Sequence, residues 1–145
     1  MKFNIIFIAI ACCFTFLQSC KNERANYFGT WNYSEDFFLG FYYNDNTPAD
    51  TFYYQDSGTL LVEEYGKKGL KIEDLNFYVK GKEIYTDEMD EFDNEDAVVF
   101  EGKKKATGTL EGNKIKILLE SNGTWSVITR QTGTYKNTRR FYLFR

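Results

Sequence analysis

The chain reads as an all-β protein, a single antiparallel up-and-down β-barrel of about 8–10 strands, with a β-sandwich as the alternative. Three observations predict this. Aromatic residues make up 19% of the chain, and ring and β-branched side chains suit a pleated, half-buried surface. Short runs of alternating apolar and polar residues recur at close spacing, punctuated by Gly and Asn. No run of ten or more residues after the first twenty keeps a helical period.

Taken in order, residues 28–34 form the first strand candidate, and "FFLGFYY" at 37–43 follows. That stretch is apolar on every side and fits a fully buried strand, a capping turn across a barrel mouth, or an exposed aromatic patch. Strands are next expected at 51–56 and 59–65. Leu70-Lys71-Ile72 and 75–79 each alternate but are out of phase across Glu73-Asp74, which predicts a bulge or a strand break. After a strand at 82–86 comes "TDEMDEFDNED", with seven acids in the ten residues 87–96. Like charges repel, so this stretch reads as a solvated loop, and it lacks the glycine turn and ligand spacing of a calcium loop. Strands follow at 97–101 and 103–110. Ile115, Ile117 and Leu119 then share one face of 114–120, between turn signals at 110–113 and Ser121-Asn122-Gly123. The strand candidates 124–130, with Trp125 and Val127 in phase, and 140–145, with Phe141 and Leu143 opposite Tyr142 and Phe144, close the chain.

The N-terminus has a different character. Lys2 opens it, an apolar run reaches Leu17, and the small or polar pair Gln18-Ser19 precedes Cys20, the three parts of a secretory signal. About fifteen apolar residues at ~1.5 Å each make ~22 Å of helix, short of a ~30 Å hydrocarbon core, so the segment targets rather than spans. Leu17-Gln18-Ser19-Cys20 resembles the lipobox of bacterial lipoproteins, looser only at Gln18. The resemblance implies removal of residues 1–19, a diacylglycerol on the sulfur of Cys20 and acylation of the new amino terminus. Cys12 and Cys13 leave with the signal, so the mature chain keeps no thiol for a disulfide or a metal. Residues 20–26 then read as a lipidated tether, and 27–145 as the folded domain. Two or three acyl chains hold a protein at a bilayer essentially permanently. Lys21 is not the Asp that keeps many enteric lipoproteins in the inner membrane, which points to a cell-envelope address at the outer membrane.

Removing 1–19 from the 145 residues leaves 126, enough for one core. With Lys2 gone from the 18 basic residues, the net charge against 21 acids is about −4, and the short runs Lys103-Lys104-Lys105 and Arg139-Arg140 read as solvated strand ends. Nucleic acid is not an expected partner. The chain contains no histidine, which removes the commonest general base and metal ligand together. No nucleophile-elbow or phosphate-loop pattern occurs, so the expectation is no enzyme, no catalytic residues, no cofactor and no metal.

Gly29-Thr30-Trp31 resembles the Gly-x-Trp signature of the lipocalins and of bacterial lipocalin-like lipoproteins. The resemblance implies an eight-stranded barrel whose closed end is sealed by Trp31, with an arginine from near the last strand stacked on its ring. Arg139 or Arg140 occupies a suitable place. The helix that follows the last strand in lipocalins proper has no residues here, since Arg145 ends the given chain. The large strand residues Trp31, Phe77, Trp125 and Phe141 are candidates to line a cavity for a small apolar ligand. The other function considered is an interaction or inhibitor module, in which 37–43 and Tyr53-Tyr54 present aromatic surface to an envelope protein or a glycan. A carboxylate enzyme drawing on 87–96 would need two acids held apart in a cleft, which adjacency in sequence does not supply. Asn32-Tyr33-Ser34 and Asn122-Gly123-Thr124 match the glycosylation pattern but read as turn residues in a bacterial chain.

Overall fold

A computed structural model describes residues 23–95, 98–127 and 131–145. The expected signal segment, Cys20 as the expected lipidation site, and Lys21 and Asn22 of the expected tether lie outside them. A 3-10 turn (Glu23–Tyr27) leads into nine strands: β1 (Gly29–Tyr43), β2 (Pro48–Tyr65), β3 (Gly69–Ile72), β4 (Leu75–Lys80), β5 (Glu83–Tyr85), β6 (Met89–Glu95), β7 (Val98–Glu111), β8 (Lys114–Val127) and β9 (Thr132–Phe144). All pairings are antiparallel, in the order β5-β4-β3-β2-β1-β9-β8-β7-β6, and a further β5–β7 pairing closes a ring of hydrogen bonds. The architecture is all-β and up-and-down, compatible with a barrel or with two packed layers.

Five of the strands are much longer than the ring needs. β2 pairs with β3 only through residues 62–65, and β7 pairs with β5 only through 107–109. The molecule therefore has two halves. In the closed half, β5 and β3–β4 complete the ring around Trp31, Leu60, Val62, Leu70, Phe77, Ile84, Ile115, Ile117, Phe141 and Leu143, all buried in one apolar cluster. In the other half β2, β1, β9, β8, β7 and β6 run on as a six-stranded sheet whose two outer strands have a free edge. The core draws on residues from Tyr27 to Leu143.

Several sequence expectations change. The acidic stretch expected as a loop at 87–96 is strand over most of its length: 89–95 is β6, in register with 98–104 of β7, while Asp96 lies outside the described residues. Alternation puts Asp90 on the outer face opposite Lys103, which pairs with both Asp90 and Glu88. Lys103 thus answers two of the acids from across the strand pair, a contact that neither run shows when read alone. Ser121-Asn122-Gly123 is not a turn either. Gly123 continues β8 without a positive φ, and it sits opposite Gly102 so closely that a Cβ there would collide with the backbone of Glu101 and Gly102. The Asn-Gly pair serves close approach, not chain reversal. The predicted strands 51–56 and 59–65 are one strand, and so are 97–101 and 103–110 from Val98 onward, residue 97 lying outside the described residues. At Glu73-Asp74 the strand break is a two-residue hairpin turn, with Glu73 at φ 55° and Ile72 paired to Leu75. That turn restores both faces, as the phase slip requires. "FFLGFYY" continues β1, with Phe37, Leu39, Phe41 and Tyr43 on the inner face and Phe38, Gly40 and Tyr42 on the outer.

Candidate functional site: an aromatic face on the open half

The closed end of the ring is built as a seal. Trp31 is 1% exposed, its indole Nε1 donates to the Tyr27 carbonyl at 2.8 Å, and its ring stacks on Tyr27. The cation on its other side is Arg145, at 4.2 Å from the ring centroid. Neither Arg139 nor Arg140 takes this place, and register explains why. β1 and β9 align Asn32 with Phe144, Asp36 with Arg140 and Phe37 with Arg139. Only the residue after Phe144 can therefore reach Trp31. Arg145 also donates to the Asn26 and Phe28 carbonyls, and Gly29, at φ 112°, leaves it room: a Cβ there would stand 3.1 Å from its guanidinium. Arg139 instead points inward, donates through Nε and Nη2 to the buried Glu35 carboxylate, and lies over the Phe141 ring at 4.8 Å. Arg140 faces outward and borders an open depression of about 680 Å³ on the outer surface, beside Tyr142, Leu118 and Tyr85.

Of the four residues expected to line a cavity, Trp31, Phe77 and Phe141 come together in the closed half. They pack there against aliphatic side chains as core. Trp125 lies in the other half and heads a second group. It is 7% exposed, and Gly133 opposite it makes room for the indole, whose Nε1 donates to the carbonyls of Tyr42 and Thr134. Rings surround it: Phe41 at 6.0 Å edge-on and Tyr43 at 6.1 Å. Phe41 in turn meets Phe52 at 6.0 Å and Phe100 at 5.7 Å, and Phe100 meets Tyr135 at 5.5 Å. Phe37 stacks on Tyr54 at 4.4 Å further along the same face. Edge-to-face and offset pairs of this spacing stabilise by about 0.5–1.5 kcal/mol each beyond their burial.

The polar groups of this face are set by a lane of missing side chains. Tyr135 on β9 stands in register with Gly123, then Gly102, then Glu91 on β6. With no Cβ at either glycine, the Tyr135 ring crosses two strands and its hydroxyl donates to the Glu91 carboxylate at 2.6 Å. Burial first, and then this hydrogen bond, push the phenol well above its ordinary value of 10.0, so it remains a proton donor. Beside it a cavity of about 110 Å³ is bounded by Leu39, Glu91, Asp93, Phe100, Tyr135 and Asn137. The Asn137 Oδ1 is buried and has no hydrogen-bond partner, a position that a bound donor would satisfy. Phe52 and Tyr54 are both 48% exposed and Tyr43 is 40% exposed, so the ring system is open to solvent along its β2 side.

Sequence reasoning found Trp125 and, within the aromatic stretch 37–43, Phe41, but not their neighbours Phe100 and Tyr135. The signal that would have found them is the pairing of a glycine with a large ring across each strand pair, which needs the register. Among the described residues no cluster of His, Cys, Asp and Glu has a metal-holding arrangement, and no helix is long and apolar enough to cross a membrane. No protein-family profile, curated protein or solved structure matches the chain.

Proposed function

We propose that the protein is a lipid-anchored lipoprotein of the cell envelope, placed at the outer membrane, whose lipocalin-like domain binds one small, largely apolar, ring-bearing ligand without chemical turnover. The aromatic face of the open half supports this reading: Phe41, Phe52, Phe100, Trp125 and Tyr135 form a contiguous set of rings, of which Phe100 and Tyr135 border the recess, with exposed rings on one side. A monomeric fold has no structural need to leave such a set open to water, and apolar recesses with a few polar groups are the usual form of small-ligand sites. The ligand contacts are therefore Phe41, Phe52, Phe100 and Trp125, while Trp31, Phe77 and Phe141 hold the scaffold. An environment-sensitive apolar dye titrated into the domain should bind saturably with a stoichiometry near one. Absence of saturable binding counts against the reading. The anchor has its own test, since mass spectrometry of the purified native protein should find Cys20 acylated and residues 1–19 removed.

The interaction reading keeps one observation in its favour. The free edge of β2 from residue 48 to 58 carries exposed Phe52, Tyr53 and Tyr54, and an unpaired edge with apolar side chains is a natural place for another strand to add. Recovery of envelope proteins on immobilised domain should drop for a Tyr53→Ala, Tyr54→Ala variant. Equal recovery removes this edge from consideration.

A further inference from the structure

The end of the ring that the tether enters carries a second pocket, of about 380 Å³, lined by Arg24, Lys67, Lys68 and Lys82 together with the apolar Val79 and Leu110. Three turns converge to build it. Gly66, Gly81 and Gly112, at φ 53°, 63° and 61°, turn β2 into β3, β4 into β5 and β7 into β8 and place the lysines on its rim. Arg24 fixes the incoming chain against it: its guanidinium donates to the Gly69 carbonyl at 3.0 Å and pairs with Glu64 at 2.7 Å. No carboxylate lines the pocket. Among the described residues Lys67, Lys68 and Lys82 have no ion-pair partner. The chain as a whole is acidic, with 21 Asp and Glu against 18 Lys and Arg, so this concentration of unpaired positive charge at one end is local.

We propose that this pocket binds the phosphate of an anionic lipid headgroup in the membrane that holds the anchor, seating the closed end on the bilayer and turning the aromatic face away from it. The inference rests on the lipoprotein reading above for the anchor at Cys20. Arg24 follows Cys20 by four residue steps, so the two lie at most about 14 Å apart at ~3.5 Å per step. A lipid on that sulfur therefore holds the lysine rim within about a Debye length or two of the headgroups, where surface charge still acts. The lysines meet the phosphate, and Val79 and Leu110 meet the glycerol and first methylenes. Lysine suits this role because its ammonium acts as a compact point charge toward phosphate.

The test uses the non-acylated chain from Lys21 onward, so that binding reports the pocket and not the anchor, in flotation with vesicles of phosphatidylcholine alone and of phosphatidylcholine with phosphatidylglycerol. The domain should float with the anionic vesicles and not with the neutral ones. Replacing three lysines, Lys67→Gln, Lys68→Gln and Lys82→Gln, should lower that partition by on the order of 100-fold, at about tenfold or somewhat less per basic residue near the surface. A variant of equal charge change in the other half, Lys103→Gln, Lys105→Gln and Lys136→Gln, should retain most of it. Equal loss in both variants, or no preference for anionic vesicles, overturns the proposal. Displacement by millimolar inorganic phosphate at constant ionic strength also overturns it, assigning the pocket to free phosphate. Acylation of Cys20, read by mass spectrometry, stands or falls separately, so a failed flotation leaves the anchor reading untouched.

Discussion

At the scale of single residues, three arginines near the C-terminus have unlike tasks. Arg145 holds Trp31 by a cation–π contact and ties the last strand to the start of β1 through two carbonyls. Arg145→Ala should cost roughly 1–3 kcal/mol, about 0.5–2 for the ring contact and the remainder for the lost hydrogen bonds, measured by urea unfolding. Arg139→Ala should cost more, about 3–5 kcal/mol, because it leaves Glu35 buried without its counter-charge. If the order is reversed, Arg139 is not the structural partner and Arg145 is more than a clamp. Arg140→Ala, on the outer face, should fall within about 0.5 kcal/mol of wild type. Tyr135 gives a prediction in pH. Its folded-state value is raised above 10.0, so the folded chain keeps the phenol proton where the unfolded chain loses it. The stability this provides is complete below about pH 10 and declines as pH rises beyond it. Tyr135→Phe should show a shallower alkaline loss of stability than wild type, and identical slopes contradict the buried Tyr135–Glu91 bond.

At the scale of elements, the glycines of the open half carry more information than its aromatics. Gly123 and Gly102 face each other beneath the Tyr135 ring, and a Cβ at Gly102 would meet the Tyr135 hydroxyl at 2.5 Å. Gly102→Ala should destabilise by about 1–3 kcal/mol through overpacking, and should weaken ligand binding by displacing Tyr135 and the recess it borders. Circular dichroism and calorimetry give the first, a dye titration the second. Normal stability together with normal binding contradicts the lane. The same elements show what was legible in the sequence. Alternation alone placed Ile115, Ile117, Leu119, Phe141 and Leu143 on the buried face, because those stretches pack one face against the core and leave the other wet. It did not place 37–43 or 89–95. In the first, the outer face also carries rings. In the second, the counter-charges for the acids lie across the strand pair at Lys103, invisible to local reading. The Asn-Gly at 122–123 misled for a related reason, since glycine serves a turn and a close strand contact equally well, and only register distinguishes them.

At the scale of the whole molecule, the proposed binding and the buried core belong to different halves. The closed half buries its large residues around Trp31, Phe77 and Phe141 and gathers Arg24, Lys67, Lys68 and Lys82 at one end. The open half continues the same strands past the ring, so that its inner face has rings but no opposing layer beyond β6 and β2. The all-β, up-and-down architecture could be anticipated from composition and alternation. The extension could not, because it depends on how far each strand runs beyond its neighbour. The central claim is that ligand binding belongs to the extension and not to the interior of the ring. The most direct measurement is an apolar-dye titration of wild type beside Phe41→Ala and Phe77→Leu, each first shown to be folded by circular dichroism. Phe41→Ala should weaken binding about tenfold or more, as loss of a central ring contact implies, while Phe77→Leu binds as wild type. Unchanged affinity in Phe41→Ala with loss in Phe77→Leu would place the site inside the ring and contradict the account.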